Sequence, residues 1–127
     1  MSVQLQPTAI KLHKKSRTLE LIYGDKSYEL TAEFLRVLSP SAEVRGHGEG
    51  NGILQVGKKH VGITAVQPAG RYALKISFDD GHDSGLYTWA YLKDLSENQA
   101  AHWADYLQQI EQAGASRDGG MIAVGRT

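Results

Sequence analysis

Tyr72-Ala-Leu-Lys-Ile-Ser-Phe78, running into Asp79-Asp-Gly-His82 and then Ser84-Gly-Leu-Tyr-Thr88, is the stretch on which the reading of the fold depends. Tyr72, Leu74, Ile76 and Phe78 alternate with Ala73, Lys75 and Ser77, the two-residue period of a strand with one buried face. The alternation predicts all four apolar side chains, Tyr72 included, in the core. Asp and Gly at 79–82 supply turn chemistry, so that residues 84–88 pair back antiparallel.

Working upstream, Pro68-Ala-Gly70 supplies a turn, and the apolar runs Ile53–Val56 and Val61–Val66 flank the basic turn Gly57-Lys-Lys-His60. A hairpin is expected there. The run Glu43–Gly52 holds four glycines in ten residues and no periodicity, as a connecting loop does. Earlier still, Thr18–Tyr23 alternates, Gly24-Asp-Lys26 turns, and Tyr28–Leu30 returns, a further hairpin. Thr31 can cap a short helix over Ala32–Leu38, with Phe34, Leu35 and Leu38 on one face and Ser39-Pro40 as its stop.

Working downstream, Trp89–Leu95 reads as a short helix or turn carrying Trp89, Leu92 and Leu95 inward. Ser96 and Gln99 match a capping box, and Ala100, Trp103, Leu107 and Ile110 keep a helical period from about Glu97 to Ala113. Trp103 beside Leu107 reads as packing. The expected class is α+β, a mainly antiparallel β-sheet domain with short helices and a C-terminal helix. Residues 1–114 form that domain, and the glycine-containing stretch 115–127 is expected to be a flexible tail.

Length and charge narrow the function. At 127 residues the chain supports one core. Its 14 basic and 14 acidic residues cancel, so no global field draws it to nucleic acid or to an anionic membrane. With no cysteine, disulfides, thiolate nucleophiles and cysteine-held metals are excluded. No apolar leader or window of membrane-spanning length is legible, so a cytoplasmic location is the default expectation.

Three segments in order carry a family resemblance: Phe34-Leu-Arg36 with the polar loop after it; Val66 to Ala73 as V-x-P-x-G-x-Y-A; and Phe78-Asp-Asp-Gly-His82 leading to Gly85-Leu-Tyr-Thr-Trp89 and Leu92. The chain resembles the N-terminal domain of gamma-butyrobetaine hydroxylase over about Pro7 to Leu95. That domain also occurs as stand-alone bacterial proteins, which the Trp103 helix and its Ala-Gly-Ala-Ser-Arg117 ending resemble, and as an appendage on P-loop iron–sulfur carrier ATPases. The resemblance implies a structural zinc held by three cysteines after the leucine–arginine pair and by the histidine of the D-G-H motif. Here Ser39, Ser41 and Val44 stand in that stretch, and neither a neutral hydroxyl nor an isopropyl group replaces a thiolate. The zinc site is expected to be lost and no cofactor is expected. The hydroxylase's iron and 2-oxoglutarate chemistry belongs to a second domain, so its activity does not carry over.

The densest polar cluster is Asp79, Asp80, His82 and Asp83, and a metal there would need His47 or His60 as a further ligand. Asp80 and His82 lack a nucleophile, an oxyanion hole or a phosphate loop beside them. Gly46, Gly48, Gly50 and Gly52 are followed by no lysine–serine/threonine pair in P-loop register. The chain therefore reads as a non-enzymatic adaptor with a protein partner, which the resemblance links to iron–sulfur handling. A homo-oligomer is compatible with this. The candidate binding residues are Arg36, Arg45, His47, Asp80, His82 and Trp89, with the arginines, His47, Asp80 and His82 facing one another across a shallow groove. The alternative is a small-ligand or metal-binding protein using the glycine-rich loop and the Asp-Asp-Gly-His turn.

Overall fold

The computed structural model describes residues 5–41 and 54–118. Two three-stranded antiparallel sheets and three helices make up this part, an α+β fold. The first sheet holds β1 (Ala9–His13), β2 (Thr18–Tyr23) and β3 (Lys26–Thr31) in that order. Leu19, Leu21 and Tyr23 point into the core from β2. Its hairpin to β3 closes with Tyr23 opposite Lys26, and Gly24 sits at φ 64°, the left-handed conformation that such tight loops ask of glycine. Strand β1 was not legible as a strand. Its Ile10 and Leu12 are only partly buried against the core, so its pattern is weak.

Thr31 ends β3 and caps α1 (Ala32–Val37), its Oγ1 accepting from the Phe34 N–H at 3.1 Å. Every residue of this short helix is buried, including Glu33 and Arg36. The second sheet has the order β4 (Ile63–Ala69), β5 (Ala73–Phe78), β6 (Leu86–Thr88). Leu74, Ile76 and Phe78 face the core as expected, and Tyr87 opposite Leu74 joins them. Helix α2 (Trp89–Glu97) buries Leu92 and Leu95, and α3 (Gln99–Gln112) adds a second apolar cluster in which Tyr106 and Ile110 meet Val37.

Four expectations change. Tyr72 is 68% exposed: β5 begins one residue later, and Tyr72 belongs to the turn, where its carbonyl accepts from Trp89 N–H. The hairpin expected between 53–56 and 61–66 does not form among the described residues, because β4 pairs with β5. Leu54 and Val56 pack instead on the α3 cluster, and Tyr106 Oη donates to the Gln55 carbonyl at 2.7 Å. The capping box is displaced, since α2 runs on past Ser96 and α3 starts at Gln99 after Asn98, without a side-chain cap. Finally, the boundary drawn at Ala115 falls within defined contacts. The carbonyls of Ser116 and Arg117 accept from the N–H groups of Gly57 and Lys59, and Arg117 grips Glu33 through two hydrogen bonds of 2.8 and 2.6 Å. Residues 119–127 lie outside the described part.

Candidate functional site

The end of α1 and the β5–β6 turn meet at one corner. Gly81, at φ 91°, lets the chain reverse so that the Phe78 N–H donates to the His82 carbonyl at 2.9 Å. The reversal aims Asp80 back at α1. Its carboxylate accepts from Arg36 Nε at 2.9 Å, from Lys58 Nζ, and from the His82 backbone N–H at 3.1 Å. Partial burial opposes ionisation, but the hydrogen bonds from Lys58, His82 and Arg36 outweigh it and bring Asp80 down to about 2.

His82 is buried, and its Nε2 lies 2.9 Å from Ser39 Oγ and 3.4 Å from Ser41 Oγ. Ser39 Oγ also accepts from the Ser41 N–H at 3.3 Å. Ser39 is wholly buried, and a methyl group added at Gly85 would collide with its Oγ, so the close approach of the two segments requires glycine there. Two tyrosines tie the same corner to α1: Tyr87 Oη donates to the Leu35 carbonyl at 2.5 Å and Tyr91 Oη to the Leu38 carbonyl at 2.6 Å. Burial pushes the Tyr87 hydroxyl pKa up, which keeps it a neutral donor.

The two segments that the resemblance joins through zinc are therefore neighbours. Their donors do not fit the metal: Ser39 and Ser41 bring neutral hydroxyls where zinc needs thiolates, imidazoles or carboxylates, and His82 is the one good ligand they surround. Hydrogen bonding among these three groups takes the place of coordination.

Of the six residues named from the sequence, the corner gathers Arg36, Asp80 and His82. Arg36 and His82 are buried, and Arg36 pairs with Asp80 directly and not across a groove. Trp89 is elsewhere, half-buried at the start of α2, with Nε1 donating to the Arg71 carbonyl at 2.8 Å. Arg45 and His47 lie outside the described residues. His60, suggested as a metal partner of His82, is mostly exposed and lies 4.0 Å from Asp118.

Reading the sequence also missed a group on the first sheet. The register sets Lys11, Glu20 and Glu29 side by side, and His13 Nε2 reaches Glu20 Oε1 at 3.0 Å. His13, Glu20 and Glu29 bring potential metal-ligating atoms within 4.8 Å of one another. The hydrogen bond with His13 is the main cause that holds Glu20 below the usual carboxylate range, and Lys11 adds to it, so cross-strand charge pairing accounts for Glu20, while Glu29 stands opposite it as a like charge. Only knowledge of which strands pair, and in what register, could have revealed it. No helix among the described residues is long and apolar enough to cross a membrane.

Fold and corner together define a small α+β domain closed by a serine–histidine contact between α1 and the β5–β6 turn. The chain belongs to the gamma-butyrobetaine hydroxylase-like N-terminal domain family, which matches residues 10–93. Two similar chains of known solution structure share 58% and 45% identity with it, at TM-scores of 0.81 and 0.75. The first comparison covers 96% of this chain and 97% of the other, and the second covers 100% and 98%. A crystal structure of a protein of unknown function from Acidithiobacillus ferrooxidans, assigned to the DUF971 family, is 38% identical with a TM-score of 0.60, over 72% of this chain and 93% of that one. Comparison with curated proteins gives no match.

Proposed function

We propose that the domain is a non-catalytic protein-interaction module, an adaptor whose partner is an iron–sulfur carrier. The observation that carries this reading is that the densest cluster of reactive groups is occupied by itself. The Asp80 carboxylate holds Arg36, Lys58 and a backbone N–H, and does not orient an imidazole. The Ser39–His82 pair resembles a nucleophile with its base, but Ser39 is 0% exposed and meets no substrate in this arrangement.

What the domain offers to solvent is different. Tyr72 is exposed, Leu86 is 48% exposed on edge strand β6, and half-buried Trp89 follows that strand. Tyrosine and tryptophan beside the end of an edge strand suit a protein interface, because they add large contact area at little entropic cost. The link to iron–sulfur carriers rests on the family's occurrence as an appendage on such ATPases.

Titration of the 15N-labelled domain with a purified P-loop iron–sulfur carrier tests the reading. Saturable amide shifts around Tyr72, Leu86 and Trp89, weakened at least tenfold by Tyr72→Ala with Leu86→Ala, are expected. Absence of binding, or turnover of ester or phosphoester substrates that Ser39→Ala abolishes, would overturn it. Shifts confined to Asp80 and His82 on adding a metal salt or an anionic metabolite would support a ligand-binding role instead.

A further inference from the structure

The N-terminal end of α1 opens onto a cavity of about 720 Å³, between the turn that precedes β2, residues 59–61 and α3. Phe34, Val61 and the Trp103 ring supply its apolar wall, and Arg17, Lys59 and Arg117 stand around them. Trp103 thus has a second surface besides the packing its helical spacing predicts. Among the described lining residues Glu33 is the one carboxylate, and Arg117 already neutralises it in a two-bond pair, with the guanidinium 5.1 Å from the Trp103 ring.

The remaining charge is only weakly compensated among the described residues. Lys59 meets Asp118 at 3.2 Å, but both side chains are largely exposed and the pair is screened. Arg17 makes no ion pair among the described residues. It is also their one non-glycine residue with positive φ, 58°, and its carbonyl is held there by the Ala32 N–H at 2.8 Å. A turn position that suits glycine or asparagine thus carries an arginine, and that residue lines the cavity.

An open cavity of this volume, mainly apolar with several polar and charged groups in its lining, has the form of a small-molecule site. We propose that it binds a small organic anion with a flat apolar body, the body against Trp103 and Phe34 and the carboxylate or phosphate at Arg17 and Lys59. Arginine supplies a planar fork for such an oxyanion and lysine a point charge. The site shares no residue with the Tyr72 edge, so the two readings fail separately.

Three probes with one ring system test it by backbone amide NMR on the full chain: 2-naphthoate, 2-naphthyl phosphate and the neutral 2-naphthamide. Saturable shifts at Arg17, Lys59, Val61 and Ala100 are expected with one or both anions, at least fivefold weaker with the amide. The naphthoate and phosphate arms tell which oxyanion is preferred. R17Q with K59Q should lower anion affinity at least fivefold without altering the rest of the spectrum. R17G separates binding from folding, because it relieves the backbone at this turn: it should raise the melting temperature and still weaken the anion. Equal affinity for amide and anions, unchanged binding in either variant, or shifts scattered over the surface would overturn the proposal.

Discussion

Glu33 and Arg36 lie on the same short helix, each in an ion pair with a residue distant in sequence, yet their surroundings differ. Arg36 sits with Asp80 in a corner where hydroxyls, an imidazole and two tyrosines pack closely, and its Nη1 is buried without a hydrogen-bond partner among the described residues. Glu33 pairs with Arg117 at the edge of an open cavity, and the Arg117 side chain is 36% exposed. Both helix ions are buried, but the partner of Arg36 is 22% exposed among packed neighbours and the partner of Glu33 is 36% exposed beside the cavity, so one helix carries a structural clasp and a wetter, more adaptable contact.

The largest effect should come from breaking the clasp. Asp80→Ala leaves the Arg36 guanidinium buried and unpaired, and a loss of about 3 kcal/mol in urea unfolding is expected from such an orphaned charge. Arg117→Ala should cost less, about 1–2 kcal/mol, since cavity water can reach the Glu33 it uncovers. Equal losses for the two variants would dissolve the contrast.

Gly85→Ala sharpens the comparison from the packing side. Its methyl group must displace Ser39, and overpacking of this kind costs about 1–3 kcal/mol. His82 should show it directly, through altered imidazole NMR shifts as the Ser39 contact is disturbed.

The same clasp sets a dependence on acid. The folded pKa of Asp80, about 2, lies below its ordinary 3.8, so its contribution is fully present above pH 4 and is lost as pH falls through the folded value. Unfolding stability should therefore drop between pH 4 and 2 in the wild type. Asp80→Asn, whose side chain does not titrate, should show a shallower decline over that window.

The smallest effect is expected at Tyr72. Exposed as it is, Tyr72→Ala should change stability by less than about 0.5 kcal/mol. A loss of several kcal/mol would return Tyr72 to the core, where alternation alone had put it.

Alternation failed at Tyr72 because a strand's period holds only while the backbone stays extended, and here extension begins at Ala73. It succeeded for Leu74, Ile76 and Phe78 because their pleat is unbroken. The 53–56 segment misled for another reason: a short apolar run is equally content against a helix, and Tyr106 and Ile110 offered one. At the corner, the sequence identified Arg36, Asp80 and His82 but cast them as groups presented to a partner. Their burial, which depends on how α1 docks against the β5–β6 turn, was not legible.

What the sequence determined by itself was local: the 18–30 hairpin, the Thr31 cap, the Asp-Gly reversal after Phe78, and a donor set without thiolates. Each follows from chemistry within a few residues, as when the Thr31 hydroxyl reaches the Phe34 N–H. The tertiary structure decided that Glu33 meets Arg117 and Ser39 meets His82, contacts 84 and 43 residues apart along the chain. No periodicity encodes them, because side chains so distant in sequence meet only after the sheets and helices have packed, and the burial that follows turns a surface charge into a clasp.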